Sequence, residues 1–114
     1  MDKNDTIFGK IIRGDIPCDK VYEDENVLAF HDINPAAPVH ILVIPKRHIV
    51  NLCNVDSNDS ELLGQMLLAA STVAAQEGLE DFRLVVNNGS KVGQTVFHLH
   101  LHILGGRPFS WPPG

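Results

Sequence analysis

The chain has 114 residues, of which 44% are hydrophobic and 20% charged, and its formal net charge is −5. This composition excludes a disordered chain and favours a single globular domain over residues 1–114. The negative charge weighs against a nucleic-acid polymer as partner, because binding a phosphate backbone requires a basic surface. A small nucleotide is compatible with it, since a local pocket can be electropositive on an acidic protein.

Cysteine content and hydropathy indicate the cellular compartment of the protein. The two cysteines, Cys18 and Cys53, form no CxxC pair, which favours a reducing compartment over a disulfide framework or a zinc ribbon. The solidly apolar run at residues 41–44 is far too short to span a membrane, and residues 1–5 lead into no signal-peptide core. We therefore expect a cytoplasmic protein without a membrane partner, small enough to reach the nucleus by diffusion.

The first half of the chain predicts one short helix and three strands. The helix covers residues 6–13, where Thr6 can serve as the cap. Its apolar stripe consists of Ile7, Phe8, Ile11 and Ile12. Strands are predicted over residues 20–23, 27–31 and 39–44, the first two forming a hairpin. The third is apolar on both faces and bracketed by prolines, which indicates a central strand covered on both sides.

The second half predicts a long helix and two further strands. Asp56 or Ser57 can cap the helix, and Gly78 is placed to end it. The apolar residues at helical spacing are Leu63, Met66, Leu67, Ala70, Val73 and Ala74. The strands cover residues 82–86 and 96–104. The result is an α+β fold: a five-stranded, mainly antiparallel sheet with one long and one short helix.

The last predicted strand carries half of the six histidines of the chain. Its period-two alternation sends Leu99, Leu101 and Ile103 to the core. The side chains of His98, His100 and His102 then share the opposite face. One such histidine is usually structural, but three in register indicate a functional site, because imidazole can act as nucleophile, base or ligand.

Three interpretations of this histidine cluster compete. Two same-face histidines can reach one zinc ion, with His31, His40 or His48 as a third ligand, but no cysteine or acidic residue lies at a recognisable ligand spacing. The cluster could also be a hydrogen-bonded polar group without function. The third interpretation is nucleophilic catalysis on phosphorus, in which a carbonyl holds the Nδ1–H group and leaves Nε2 free to attack.

The loop before the strand favours the third interpretation. It contains Asn87-Asn88-Gly89 and Gly93-Gln94-Thr95, which combine glycines with side-chain donors. Glycines let backbone N–H groups approach an anion, so the loop is typical of a phosphate site beside a nucleophile. The residues by themselves therefore favour phosphoryl or nucleotidyl transfer.

Residues 94–103, with the sequence QTVFHLHLHI, resemble the histidine-triad motif of the HIT superfamily. Residues 5–12, 29–33 and 38–46 and the tail WPPG at residues 111–114 are similar to the Hint branch of that superfamily. The resemblance implies a HIT-like fold, a homodimer and hydrolysis of purine nucleoside 5′-monophosphoramidates, with AMP or GMP as the bound nucleotide and no metal or other cofactor. It also implies that the tail reaches toward the active site of the other subunit.

The resemblance further implies a role for each histidine of the site. His100 would attack the α-phosphorus and form a nucleotidyl-imidazole intermediate, which water then hydrolyses. His102 would contact the phosphate oxygens. His98 and His40 would support His100 from behind, with His48 adding to that set.

The nucleotide-binding residues follow from the same resemblance. The backbone of Gly93 and Gln94, together with the Thr95 hydroxyl, would bind the phosphate and the leaving group. Asn87 would face the phosphate and ribose, and Asp32 would accept the two ribose hydroxyls. The apolar residues around the purine would be Ile7, Phe8, Ile11 and Phe30, with Ile33 completing the nucleotide-binding set. Two other functions stay open: a nucleotide-binding regulatory module with incidental turnover, and a zinc-binding protein.

Overall fold

The structure, a computed structural model, describes residues 4–114. Its elements are α1 (Ile7–Ile12), β1 (Lys20–Glu23), β2 (Val27–His31), β3 (Val39–Pro45), α2 (Ser60–Gln76), β4 (Phe82–Val85) and β5 (Leu101–Gly105). Within residues 4–114, neither helix combines the length and the apolar character needed to cross a membrane. The expectation of no signal peptide rests partly on residues 1–3, which lie outside the described residues.

The five strands form one sheet in the order β1-β2-β3-β5-β4, and every neighbouring pair is antiparallel. β3 is the central strand: Leu42 lies opposite Phe30 of β2 on one side and opposite His102 of β5 on the other. The predicted α+β fold, with five strands, one long helix and one short helix, is therefore confirmed.

Each helix covers one face of the sheet. Ile41 and Val43 of β3 point to the face that packs against α2. Leu42 and Ile44 point to the opposite face, where Phe8 of α1 contacts them. Because side chains alternate along a strand, a sheet covered on both faces requires a central strand that is apolar throughout. The two-sided burial predicted for residues 39–44 is confirmed, and it puts His40 on the α1 face.

Of the two helices, only α1 begins directly after its predicted cap. The Thr6 hydroxyl accepts the Gly9 N–H at 3.1 Å and caps α1. The Asp56 carboxylate caps a single 3₁₀ turn that leads into α2 at Ser60. One predicted core residue of α2 is wrong: Leu67 is 55% exposed. It lies about 100° around the helix from Met66, which is buried, so it points away from the sheet.

The predicted strand over residues 96–104 is wrong in its first half, because β5 begins only at Leu101. Continuing the pairing of β3 with β5 would place Pro45 opposite Leu99, and Pro45 has no N–H to donate. The chain bends there instead: the Leu99 N–H bonds to the Ile49 carbonyl at 2.6 Å, and the His98 carbonyl accepts a side-chain donor. Leu99 is still buried, as predicted.

Candidate active site

The histidine rings meet on the face of the sheet that carries α1. His98 and His100 precede β5 and His102 lies within it. The rings of His100 and His102 have centroids 4.9 Å apart. The ring of Phe8 packs edge-on against both His98, at 6.1 Å between centroids, and His100, at 5.1 Å. The structure therefore brings the three predicted histidines together, although only one of them lies in a strand.

His100 has the geometry of a nucleophile. Its Nδ1–H group donates to the His98 carbonyl at 2.8 Å, so the proton of the neutral ring is on Nδ1. The lone pair is then on Nε2, and His100 lines an open cavity. Burial lowers the pKa of His100, against the opposing effects of the His98 carbonyl and Asp32, which favours the neutral form that can attack.

A chain of hydrogen bonds sets the proton on His102. The Ala36 N–H donates to His40 Nδ1 at 2.9 Å, so neutral His40 carries its proton on Nε2. That nitrogen is 2.9 Å from His102 Nδ1 and donates to it. Neutral His102 must then carry its proton on Nε2, which is buried and has no hydrogen-bond partner among residues 4–114. The site thus holds a buried N–H donor that no acceptor of the described residues satisfies.

His40 and His102, the two histidines joined by these hydrogen bonds, are held neutral. Burial is the largest cause that lowers the pKa of His40, and it lowers the pKa of His102 to about 4. The neighbouring rings of His100 and His40 lower the pKa of His102 further. A neutral His102 agrees with the donor pattern derived from the distances.

His98 holds His100 through its backbone carbonyl. Its ring is fully buried, donates from Nε2 to the Pro45 carbonyl at 2.8 Å and lies stacked on His48, with centroids 5.4 Å apart. Burial lowers its pKa to about 4. His98 was expected to support His100, and it does so by accepting the His100 Nδ1–H at its carbonyl. His40, which was expected to support His100 as well, hydrogen-bonds to His102 instead.

The cavity in front of His100 has a volume of about 310 Å³. It is lined by the four apolar residues expected around the purine, namely Ile7, Phe8, Ile11 and Phe30, and by Ile33 of the expected nucleotide-binding set. Phe8 and Phe30 are almost fully buried and form the back wall, with ring centroids 5.6 Å apart. Ile7 and Ile33 are 43% and 85% exposed, so they present free apolar surface at the opening. This cleft suits a flat apolar group.

Asp32 lies at the edge of the same cavity. One carboxylate oxygen accepts the Asn34 N–H at 2.8 Å, an Asx turn, and the other lies 3.4 Å from His40 Nε2. Asp32, His40 and His102 each offer a ligand atom, and these atoms lie within 4.8 Å of one another. The sequence spacing indicated no acidic metal ligand, but the fold brings the Asp32 carboxylate beside these two histidines.

The loop over residues 87–95 is organised around a buried side chain. Gln94 is almost fully buried, and its amide bonds to the Gly89 N–H at 2.9 Å and to the Val50 carbonyl at 2.8 Å. The backbone N–H groups of Gln94 and Gly93 donate within the loop, at 3.1 and 3.2 Å. Their expected role in phosphate binding stays a prediction, and it requires these two bonds to be replaced.

Thr95 and Gly93 line the cavity, and both are exposed. Asn87 and Gln94 are not among the described residues that line it. The amide nitrogen of Asn87 lies 3.5 Å from the position of a Cβ built on Gly93, so Asn87 stands behind that glycine. Gly93 adopts a left-handed conformation with φ of 107°, which favours glycine. Thr95 is therefore the loop side chain best placed to meet a ligand.

Three contacts of the site have no signal in the sequence. Ala36, Pro45 and Asn4 each bond to a histidine ring, and Asn4 is 94 positions away from its partner His98. Turn and capping patterns are local, so they could indicate only that Asn4 precedes a helix cap. The partner of each ring is decided by the tertiary structure.

Comparisons with known proteins agree with the resemblance at the level of the family. The HIT domain family model matches residues 13–109. An uncharacterised HIT-like protein from Synechocystis sp. is 64% identical over 96% of this chain and 97% of that protein. A 14 kDa zinc-binding protein from Zea mays is 52% identical over 100% of this chain and 91% of that protein.

Among solved structures, a HIT family hydrolase from Legionella pneumophila is 52% identical, with a TM-score of 0.92 over 95% of this chain and 98% of that one. The fold is thus shared with a HIT family hydrolase at high sequence identity. With a family match over most of its length, this chain belongs to the HIT domain family.

Proposed function

We propose that this protein is a hydrolase of the Hint branch that cleaves purine nucleoside 5′-monophosphoramidates. The observation that carries the proposal is the pairing of an Nε2 lone pair on His100 with an Nε2–H donor on His102 that has no partner within the described part of the chain. A nucleophile beside a hydrogen-bond donor suits attack on phosphorus, because the donor can stabilise the negative charge on the phosphoryl oxygens.

The reaction proceeds in two steps at the α-phosphorus. His100 Nε2 bonds to phosphorus while the P–N bond breaks, and the amine leaves with a proton donated through the Thr95 hydroxyl, which solvent replaces. Water then attacks phosphorus, the bond to Nε2 breaks, and the nucleoside 5′-monophosphate is released. His102 Nε2–H donates to a phosphoryl oxygen in both steps. The reaction requires no cofactor.

The cavity supports a nucleotide as the substrate. The cleft between Ile7 and Ile33 accepts the purine of AMP or GMP, and its back wall of Phe8 and Phe30 is already packed. The Asp32 carboxylate lies on the same cavity, where it can accept ribose hydroxyls. An apolar wall with a few polar groups at one end is typical of nucleotide sites.

A homodimer is part of the proposal and is supported by exposed apolar surface. β4 is an edge strand with Phe82 and Leu84 half-exposed, and Leu67 and Leu68 of α2 are 55% and 70% exposed. An exposed edge strand beside apolar side chains is suited to a second copy. Trp111 in the tail is also largely exposed, as expected of a residue that reaches the partner's active site.

A zinc-binding protein is the second candidate, favoured by the spacing of Asp32, His40 and His102 and by the name of the maize relative. His40 Nε2 is 2.9 Å from His102 Nδ1 and 3.4 Å from Asp32, and tetrahedral zinc keeps its ligand atoms about 3.3–3.5 Å apart. The protonation opposes zinc, however: the Ala36 N–H occupies His40 Nδ1, so the proton is on the nitrogen that zinc would need. The residues therefore do not fit zinc without new bonds, and no step is assigned to a metal.

Turnover of an adenosine phosphoramidate, with and without EDTA, tests the proposal. The wild-type protein should release AMP at the same rate in both conditions, and His100→Ala should release almost none. Loss of wild-type turnover in EDTA would favour the zinc protein. Binding of AMP without any turnover would favour the regulatory module instead.

A further inference from the structure

Asn4 contacts the histidine cluster from outside the sheet. Its side-chain Nδ2 lies 2.8 Å from His98 Nδ1. The amide orientation follows from its other oxygen contacts, because Oδ1 accepts both the Thr6 N–H at 3.1 Å and the Thr6 hydroxyl at 2.6 Å. The NH₂ group must then face His98, which makes His98 Nδ1 an acceptor.

This contact determines where His98 carries its proton. With Nδ1 accepting from Asn4, the proton of the neutral ring is on Nε2, where it donates to the Pro45 carbonyl at 2.8 Å. Both ring nitrogens of this fully buried side chain are therefore paired. The backbone carbonyl of the same residue accepts the Nδ1–H of His100, so anchoring the His98 ring at both nitrogens also holds the residue that supplies this acceptor.

Asn4 is itself held closely in place. The Arg13 guanidinium donates to the Asn4 carbonyl at 2.5 Å. A Cβ built on Gly9 would lie 2.4 Å from the Asn4 side-chain Cγ, so only glycine at position 9 lets Asn4 approach. The first turn of α1 is thus packed directly onto the amide that reaches His98.

We propose that Asn4 is a positioning residue, which holds His98 as its Nε2–H tautomer and thereby keeps the Nε2 lone pair of His100 facing the cavity. Its effect on turnover rests on the proposed function, whereas its effect on the two rings does not. The N-terminal segment would then be part of the active site through an amide that never touches substrate.

The test compares three variants by activity, AMP binding and ¹⁵N NMR of the imidazoles. Asn4→Ala removes the donor to His98, and Asn4→Asp keeps the shape and the acceptor for Thr6 but puts an oxygen where the donor was. Arg13→Ala is the matched control, because it loosens the same segment without touching the Asn4 side chain or His98.

We expect kcat to fall about tenfold in both Asn4 variants, the effect of one lost hydrogen bond, with KM and AMP affinity unchanged within about twofold. His98 Nδ1 should lose its hydrogen-bonded signal in Asn4→Ala and gain a proton in Asn4→Asp. The His100 Nδ1–H should exchange with water about tenfold faster in Asn4→Ala. Arg13→Ala should match the wild type in all these measurements within about twofold.

Two results would overturn the positioning role. One is a pair of Asn4 variants whose His98 and His100 signals match those of the wild type. The other is an Arg13→Ala protein that loses as much kcat as Asn4→Ala while its His98 and His100 signals stay those of the wild type, which would mean that Asn4 only anchors the segment. A wild-type protein that does not hydrolyse phosphoramidates would contradict the proposed function, and the NMR signals would still decide the role of Asn4.

Discussion

The two faces of the sheet are built from the same strands but hold different kinds of interior. On the α2 face, Ile103 and Leu101 of β5 pack against aliphatic side chains such as Val43 and Val73. His102 lies between Leu101 and Ile103 in the sequence, but its side chain is on the α1 face. There it enters a network of imidazoles joined by hydrogen bonds.

One strand can therefore serve both stability and chemistry. Apolar contacts are non-directional, so the α2 face tolerates modest changes of shape at a cost in stability. The imidazole network depends on which nitrogen carries each proton, so one lost partner changes the reactivity of the next ring. Substitutions on the two faces should therefore separate activity from stability, and four predictions test that separation.

The largest effect is expected from His100→Ala. Turnover should fall by at least about a thousandfold, because the nucleophile and the covalent intermediate disappear together. The free energy of unfolding should fall by about 1–3 kcal/mol, because the buried His98 carbonyl loses its donor. Mass spectrometry of the quenched wild-type reaction should locate the nucleotidyl group on His100, and an adduct on any other residue would contradict the assignment.

Ile103→Ala should give the opposite pattern. Ile103 is fully buried on the α2 face, so its truncation leaves a cavity and should cost about 3–4 kcal/mol of unfolding free energy. Turnover per folded molecule should stay within about threefold of wild type, since His102 points to the other face. Urea denaturation measures the free energy of unfolding, and titration of the active fraction gives the turnover per folded molecule. A loss of turnover as large as that of His100→Ala would contradict the distinction between the two faces.

Acid should destabilise the fold through the imidazole network. The pKa of His98 is lowered to about 4, whereas an unfolded histidine titrates near 6.5. Between these values the unfolded chain binds the extra proton, so stability falls as pH decreases from about 6.5 to 4 and is fully present above 6.5. For His98 the loss between pH 7 and pH 5 should be roughly 2 kcal/mol in urea denaturation. His98→Gln is the control, and an unchanged pH dependence in that variant would exclude His98 as the cause.

The smallest effect is expected from Thr95→Val, at the exposed end of the site. Turnover of phosphoramidates should decrease about tenfold, because the hydroxyl that assists the departing amine is lost. AMP affinity should hardly change, since AMP has no leaving amine. Steady-state kinetics and calorimetric titration give the two values, and an equal decrease in both would make Thr95 a ground-state binding residue.

Local sequence pattern predicted much of this protein. Alternation placed Leu99, Leu101 and Ile103 in the core, even though the strand begins only at Leu101. The Thr6 cap, the hairpin of β1 with β2 and the two-sided β3 followed from short-range rules of capping, turns and burial. The error at Leu67 arose because a helical pattern shows a stripe but not how wide the covering sheet is.

The local pattern of residues was enough to predict that His98, His100 and His102 share one face, because alternation is a property of neighbouring residues. Only the tertiary structure decided the partner of each ring nitrogen: Ala36 for His40, Asn4 for His98 and the His98 carbonyl for His100. A hydrogen bond requires a donor and an acceptor within about 3 Å, and the segments that supply them are distant in the chain. Their separation is set by how the helices pack on the sheet, and so the protonation pattern that places the lone pair of His100 on Nε2 emerges only when the fold is complete.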